Sequence, residues 1–173
     1  VEVQNSNNTD RQRLTTIDIS KEYLHFSAAH FTVFSATERE RLHGHNFFVS
    51  ASATARVGDD GMCFDYSLLK KKLAVLCQDL DEYMLLARDC PYHSIEDTGS
   101  CYEVHFNGEV IPFPKADTLL LPVTNITIEE LSHYLLQQLQ SDPLFGDNPM
   151  ITELVMRVSS GPGQWGSSHW VRS

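Results

Sequence analysis

Two long runs of this sequence, 16–33 and 46–57, are rich in β-branched and aromatic residues and alternate in part, with Ile17 and Ile19 in the first and Phe47, Val49 and Ala51 in the second. A period of two lines up side chains on one strand face, so the pattern predicts two long strands and commits the chain to a sheet. The charged stretch 35–42 between them reads as a loop, and Gly58-Asp59-Asp60-Gly61 as a turn, since glycine tolerates positive φ. From Asp65 the period changes. Leu68, Leu69, Leu73, Leu76, Cys77, Leu80 and Met84 recur at three- and four-residue steps, the apolar stripe of a helix with Asp65 as its N-cap. Asn107-Gly108 between 100–106 and 109–113 is a hairpin signal. Thr127-Ile-Glu-Glu130 has the capping-box pattern and opens a second helix with Leu131, Tyr134, Leu135 and Leu139 inward; 151–159 alternates as a last strand. The order predicts an α+β domain, helices packed on one face of an antiparallel sheet, with an inserted β-hairpin.

At 173 residues the chain has room for one domain with a real core, expected over 14–173 behind a loose polar arm at 1–13. Thirteen Lys plus Arg against 23 Asp plus Glu give a formal charge of −10 without a basic run, which excludes a broad grip on nucleic acid or an anionic membrane. A small anionic substrate can still meet a local cluster of cations. The longest apolar stretches, 83–87 and 119–123, fall far short of the ~20 residues of a membrane helix. The start shows no secretory pattern, and Cys63, Cys77, Cys90 and Cys101 form no CxxC pair, so free thiols in a reducing cytoplasm are expected.

His43-Gly44-His45 is the most informative triplet. On a strand, i and i+2 share a face, so two imidazoles can converge on one ion while Gly44 leaves room for it. His30, at the end of the preceding strand, can join them across an antiparallel pair. Three imidazoles with an open position are the arrangement of catalytic zinc. An HxH pair alone is equally the pattern of hydrogen-bonded surface histidines. His25, His93, His105, His133 and His169 have no such constellation and read as structural or solvated.

Phe26-Ser-Ala-Ala-His30, Leu42-His-Gly-His-Asn46-Phe47, Gly61-Met-Cys-Phe-Asp65-Tyr66 with Leu69-Lys70, Leu80-Asp81 and Thr127-x-Glu129 together resemble the 6-pyruvoyl tetrahydropterin synthase family, in family order. The resemblance implies a tunnelling fold: a four-stranded antiparallel sheet backed by two helices, assembled as a trimer or a dimer of trimers, a homohexamer, with the active site between subunits. It implies Zn2+ on His30, His43 and His45, a 7,8-dihydroneopterin triphosphate substrate that loses triphosphate, and Thr127, Ile128 and Glu129 lining the pterin end.

The sequence departs from the family pattern in three places. Arg39 stands where the family's cysteine is usual, next to Glu40, and this is similar to a subgroup in which a glutamate three residues before HGH is the base and the product is 6-hydroxymethyl-7,8-dihydropterin. A carboxylate beside a divalent ion can take a proton from carbon. Leu80-Asp81-Glu82 has Glu82 where the family has histidine, leaving Asp81 and Glu82 as candidate proton carriers. Ser160 falls where the family's pterin-anchoring glutamate is expected, which weakens and relaxes recognition of the ring. The leading expectation is a zinc-dependent lyase of pterin or folate biosynthesis with Glu40 as base, its polyphosphate met by cations such as Lys21, Arg39 and Arg41. The alternatives are a 6-carboxytetrahydropterin synthase-like enzyme of queuosine synthesis and an inactive metal- and pterin-binding paralogue.

Overall fold

The computed structural model describes residues 13–173. The arm expected over 1–13 lies outside these residues except for Arg13, whose carbonyl accepts from the Val57 N–H at 2.8 Å. Strand β1 (Leu14–His30) pairs antiparallel with β2 (His43–Arg56), from Leu14↔Arg56 to Ser20↔Ser50 and, past an irregularity, from His25↔Phe48 to His30↔His43. Residues 21–24 bulge out of this ladder, which lets the two strands bend and twist over their length. The chain then forms α1 (Tyr66–Gln78), β3 (Tyr83–Ala87), β4 (Ser94–Asp97), β5 (Cys101–Phe106), β6 (Glu109–Pro114) and β7 (Thr118–Leu121). It finishes with α2 (Ile128–Gln140), a short α3 (Pro143–Gly146), β8 (Ile151–Ser159) and β9 (Gly166–Val171).

The main sheet has the order β7-β3-β1-β2-β8-β9. Its four strands β1, β2, β8 and β9 are the expected antiparallel sheet; β3 and β7 add two parallel strands and make it six. Both are short continuous apolar runs, the pattern of a buried parallel strand rather than of alternation. The inserted hairpin is present as β5-β6 around Asn107-Gly108, both with positive φ, and β4 widens it to three strands.

Helix α1 lies against β1 and β2, and α2 against β8 and β9. They bury Leu69, Leu73, Leu76 and Cys77 from α1 and Leu131, Leu135, Leu136 and Leu139 from α2 in a core shared with Phe26, Phe47, Val49 and Ala51. Ala51, Ala53 and Ala55 are fully buried on β2, where small side chains let the layer above come close. Asp65 caps α1 as expected, its carboxylate accepting from the Ser67 N–H at 2.9 Å. The helix ends at Gln78, short of the predicted stripe: Leu80 belongs to the following turn and Met84 to β3. Between them Glu82 adopts φ 65°, and its N–H donates to the Ser27 carbonyl at 2.7 Å, so β1 takes over from the helix. At α2 the Thr127 hydroxyl accepts from the Glu130 N–H, but the Glu130 carboxylate reaches back to the Thr124 N–H at 2.9 Å rather than closing the box on Thr127. Among the described residues all four cysteines are free, and no helix is long and apolar enough to cross a membrane.

Candidate metal and catalytic site

The β1–β2 register places His30 opposite His43 and Ala28 opposite His45, so all three imidazoles stand together at one end of the sheet. Ring centroids are 4.5 Å apart for His30 and His43, 5.3 Å for His30 and His45, and 4.8 Å for His43 and His45. The Ile126 carbonyl accepts from His30 Nδ1 at 3.1 Å and the Arg41 carbonyl from His43 Nδ1 at 2.8 Å. Both bonds put the proton on Nδ1 and leave Nε2 with its lone pair, the way outer partners orient metal-bound histidines. His30 Nε2 is buried without a partner, and His43 Nε2 and His45 Nε2 approach to 3.1 Å. One ligand nitrogen from each ring lies within 4.8 Å of the others. A buried acceptor with no donor beside two further ring nitrogens fits a cation, and the all-nitrogen set fits zinc.

Burial, reinforced by His43 and His45, pushes His30 down to about 4, and burial with His43 lowers His45. Both rings are therefore neutral at neutral pH, the form in which an imidazole can hold a metal. Gly44 does not make room for the ion. A Cβ there would meet the Ala28 carbonyl oxygen at 3.0 Å, so the glycine instead lets the two strands approach beside the histidines.

Glu40 joins the cluster from the loop. Its N–H donates to the Thr32 carbonyl at 2.8 Å, its carboxylate accepts from the Thr32 N–H at 3.0 Å, and that Oε2 lies 3.9 Å from His43 Nε2. Burial acts to raise its pKa, but the Thr32 bond and the neighbouring histidines outweigh it and hold the carboxyl below its ordinary value. The sequence gives no sign of Asn125, whose Oδ1 accepts from the N–H groups of Val33 and Ile126 and whose Nδ2 donates to the Val33 carbonyl at 2.8 Å. It staples the chain after His30 to the segment whose carbonyl orients that ring.

Asp81 and Glu82 sit beside β1, in the turn that leads into β3, rather than among the imidazoles. Asp81 accepts from the Ser27 N–H at 2.7 Å, while Glu82 shares with His45, Ser27, Asn46 and Tyr83 the wall of an open groove of about 510 Å³. Among the described residues no hydrogen bond or ion pair links either carboxylate to the histidines. Thr127, Ile128 and exposed Glu129 follow directly on Ile126, at the start of α2. Ser160 lies just past β8, accepting from Gln164 Nε2 at 3.2 Å. Of the three candidate cations, Lys21 and Arg41 are exposed, whereas Arg39 is pinned to Glu109 at 3.0 Å.

The sequence profile of the 6-pyruvoyl tetrahydropterin synthase family matches residues 18–167. The chain belongs to this family. The 6-pyruvoyl tetrahydropterin synthase of Plasmodium vivax superimposes with a TM-score of 0.86 at 26% identity, covering 92% of this chain and 99% of that one. The Plasmodium falciparum 6-pyruvoyl tetrahydropterin synthase gives 0.86 at 27% with the same coverage. Two further structures of the Plasmodium vivax synthase carry alanine or cysteine in place of a catalytic glutamate. A candidate 6-carboxy-5,6,7,8-tetrahydropterin synthase of Methanocaldococcus jannaschii is 26% identical over 117 residues, 67% of this chain and 71% of that protein. The chain is thus a 6-pyruvoyl tetrahydropterin synthase-family enzyme of pterin metabolism, with the family's α+β fold.

Proposed function

We propose that this enzyme is a zinc-dependent lyase of 7,8-dihydroneopterin triphosphate that breaks the carbon–oxygen bond to triphosphate to give 6-pyruvoyl tetrahydropterin, or breaks the carbon–carbon bond after the first side-chain carbon to give 6-hydroxymethyl-7,8-dihydropterin and a triphosphorylated two-carbon aldehyde, or does both. The observation that carries the reading is the Glu40 carboxylate, held by Thr32 beside three converging imidazoles. His30, His43 and His45 would hold the zinc, which supplies Lewis acidity toward oxygens of the substrate side chain. Glu40, ionised at neutral pH, takes a proton from a side-chain carbon on the way to the pyruvoyl product or from a side-chain hydroxyl on the way to the hydroxymethyl product; Thr32 fixes the direction from which it does so. The catalytic glutamate of the Plasmodium vivax relative supports a carboxylate in this role. Thr127, Ile128, Glu129 and Ser160 receive the pterin ring, and Asp81 and Glu82 exchange protons with solvent from the neighbouring groove. The enzyme works in the cytoplasm as a homohexamer, a dimer of trimers, with no nucleic acid or membrane partner.

A second reading, a 6-carboxytetrahydropterin synthase, is favoured by the description of the Methanocaldococcus jannaschii relative. Arg39 at the usual cysteine position speaks against it. Incubating the zinc-loaded protein with 7,8-dihydroneopterin triphosphate and identifying the products separates the readings. The expected result is a 6-pyruvoyl pterin with free triphosphate, a 6-hydroxymethyl pterin with a triphosphorylated two-carbon aldehyde, or both. A 6-carboxy product from that incubation supports the second reading, and unchanged substrate makes the protein a binder.

A further inference from the structure

The side chain of Arg39 is committed in four directions. One guanidinium nitrogen donates to the Glu40 carbonyl at 2.9 Å and another to the Glu109 carboxylate at 3.0 Å. Its Cζ lies 5.5 Å from the centre of the Phe31 ring and 5.8 Å from that of Phe106. The guanidinium side chain is 20% exposed although the Glu109 side chain is 64% exposed. Phe31 and Thr32 are the two residues after His30; one carries the guanidinium and the other the Glu40 carboxylate. Phe106 and Glu109 flank the Asn107-Gly108 turn of the inserted sheet. The backbone of Arg39 also bridges Val33.

We propose that Arg39 is a positioning residue that fixes the Glu40 carboxylate against the histidine cluster by fastening its loop to the turn of the inserted β5-β6 hairpin. The hairpin is then an arm of the active site and not a surface ornament. A planar fork suits the task because it stacks on aromatic faces while donating in its own plane to two acceptors, which an ammonium cannot do. Because Glu40 hangs from the same two-residue stretch that follows His30, release of Arg39 lets the carboxylate drift without dismantling the imidazoles. Drift of about 1 Å is enough to cost ~10²-fold in rate.

The proposal rests on Glu40 as the base, so its test has a kinetic arm and one independent of activity. In the zinc-loaded enzyme acting on 7,8-dihydroneopterin triphosphate, Arg39→Met is expected to lower kcat about 10- to 100-fold with KM changed less than about twofold, and Arg39→Lys to recover part of the loss. Glu109→Gln, at an exposed position, gives a smaller loss in the same direction and guards against a folding failure of the first variant. On a Glu40→Gln background, Arg39→Met lowers the rate no further, because the two act as one unit. Wild-type kcat in Arg39→Met, or a fully additive loss on Glu40→Gln, overturns the proposal. If Glu40→Gln itself keeps the wild-type rate, the assignment of the base falls, and hydrogen exchange decides the clamp. Amides of Thr32 and Glu40 exchanging about tenfold faster in Arg39→Met and Glu109→Gln support it, and unchanged exchange overturns it.

Discussion

Burial decides what His30 can do. The residue is 5% exposed, with two other imidazoles around it, and protonation would place a charge there that burial disfavours and the Glu40 carboxylate offsets only in part. The same features suit it to be a ligand, since a neutral ring with its proton fixed on Nδ1 offers one lone pair in one direction. A pH dependence follows for the metal-free protein. The folded-state value of about 4 lies below the ordinary 6.5, so between these values the unfolded chain takes up a proton that the folded chain resists. The stability contribution is complete above 6.5 and is lost as pH falls toward 4. Thermal melts of zinc-stripped protein across that window should show a falling Tm, with a shallower fall in His30→Gln. Identical slopes in the two proteins would sink this account of His30.

At the scale of elements, the join between β9 and the start of α2 leaves no room for a side chain. A Cβ on Gly166 would lie 2.7 Å from both the carbonyl carbon and oxygen of Ile128, backbone atoms that no rotamer change can move aside. Gly166→Ala should therefore shift the start of α2 and destabilise the protein by about 1–3 kcal/mol, read as a lower midpoint in chemical denaturation; an unchanged midpoint would mean that the join is loose. Elements built from local signals were legible in the sequence. Asp65 and Thr127 cap their helices through bonds two and three residues away, and the last long strand, β8, runs over the residues whose alternation marked it. Elements decided by distant partners were not. The α1 stripe overran because Leu80 and Met84 kept its period while Ser27, from β1, captured Asp81 and Glu82. Strands β3 and β7 exist only because each finds a parallel neighbour. The site divides in the same way. The HGH pair is visible as a period of two, whereas the Thr32 anchor of Glu40 and the Asn125 staple join residues eight and 92 positions apart.

The molecule as a whole leaves sheet edges uncovered. Among the described residues β7 pairs only with β3 and β9 only with β8, and Phe48 is 38% exposed on the sheet face opposite Phe47. Open edges invite pairing with further strands, and closing them into a barrel removes the liability. Light scattering of the purified protein should give the mass of a hexamer; a monomer mass across micromolar concentrations would contradict the proposed assembly. The net charge of −10 makes any gathering of cations local. The measurement that tests the account most directly is consumption of 7,8-dihydroneopterin triphosphate by zinc-loaded wild type and Glu40→Gln, with zinc content determined on the same samples. Both proteins should hold one zinc per chain, and the variant should be slower by ~10²–10⁴-fold. A Glu40→Gln enzyme that holds its zinc and consumes the substrate at the wild-type rate would contradict the account.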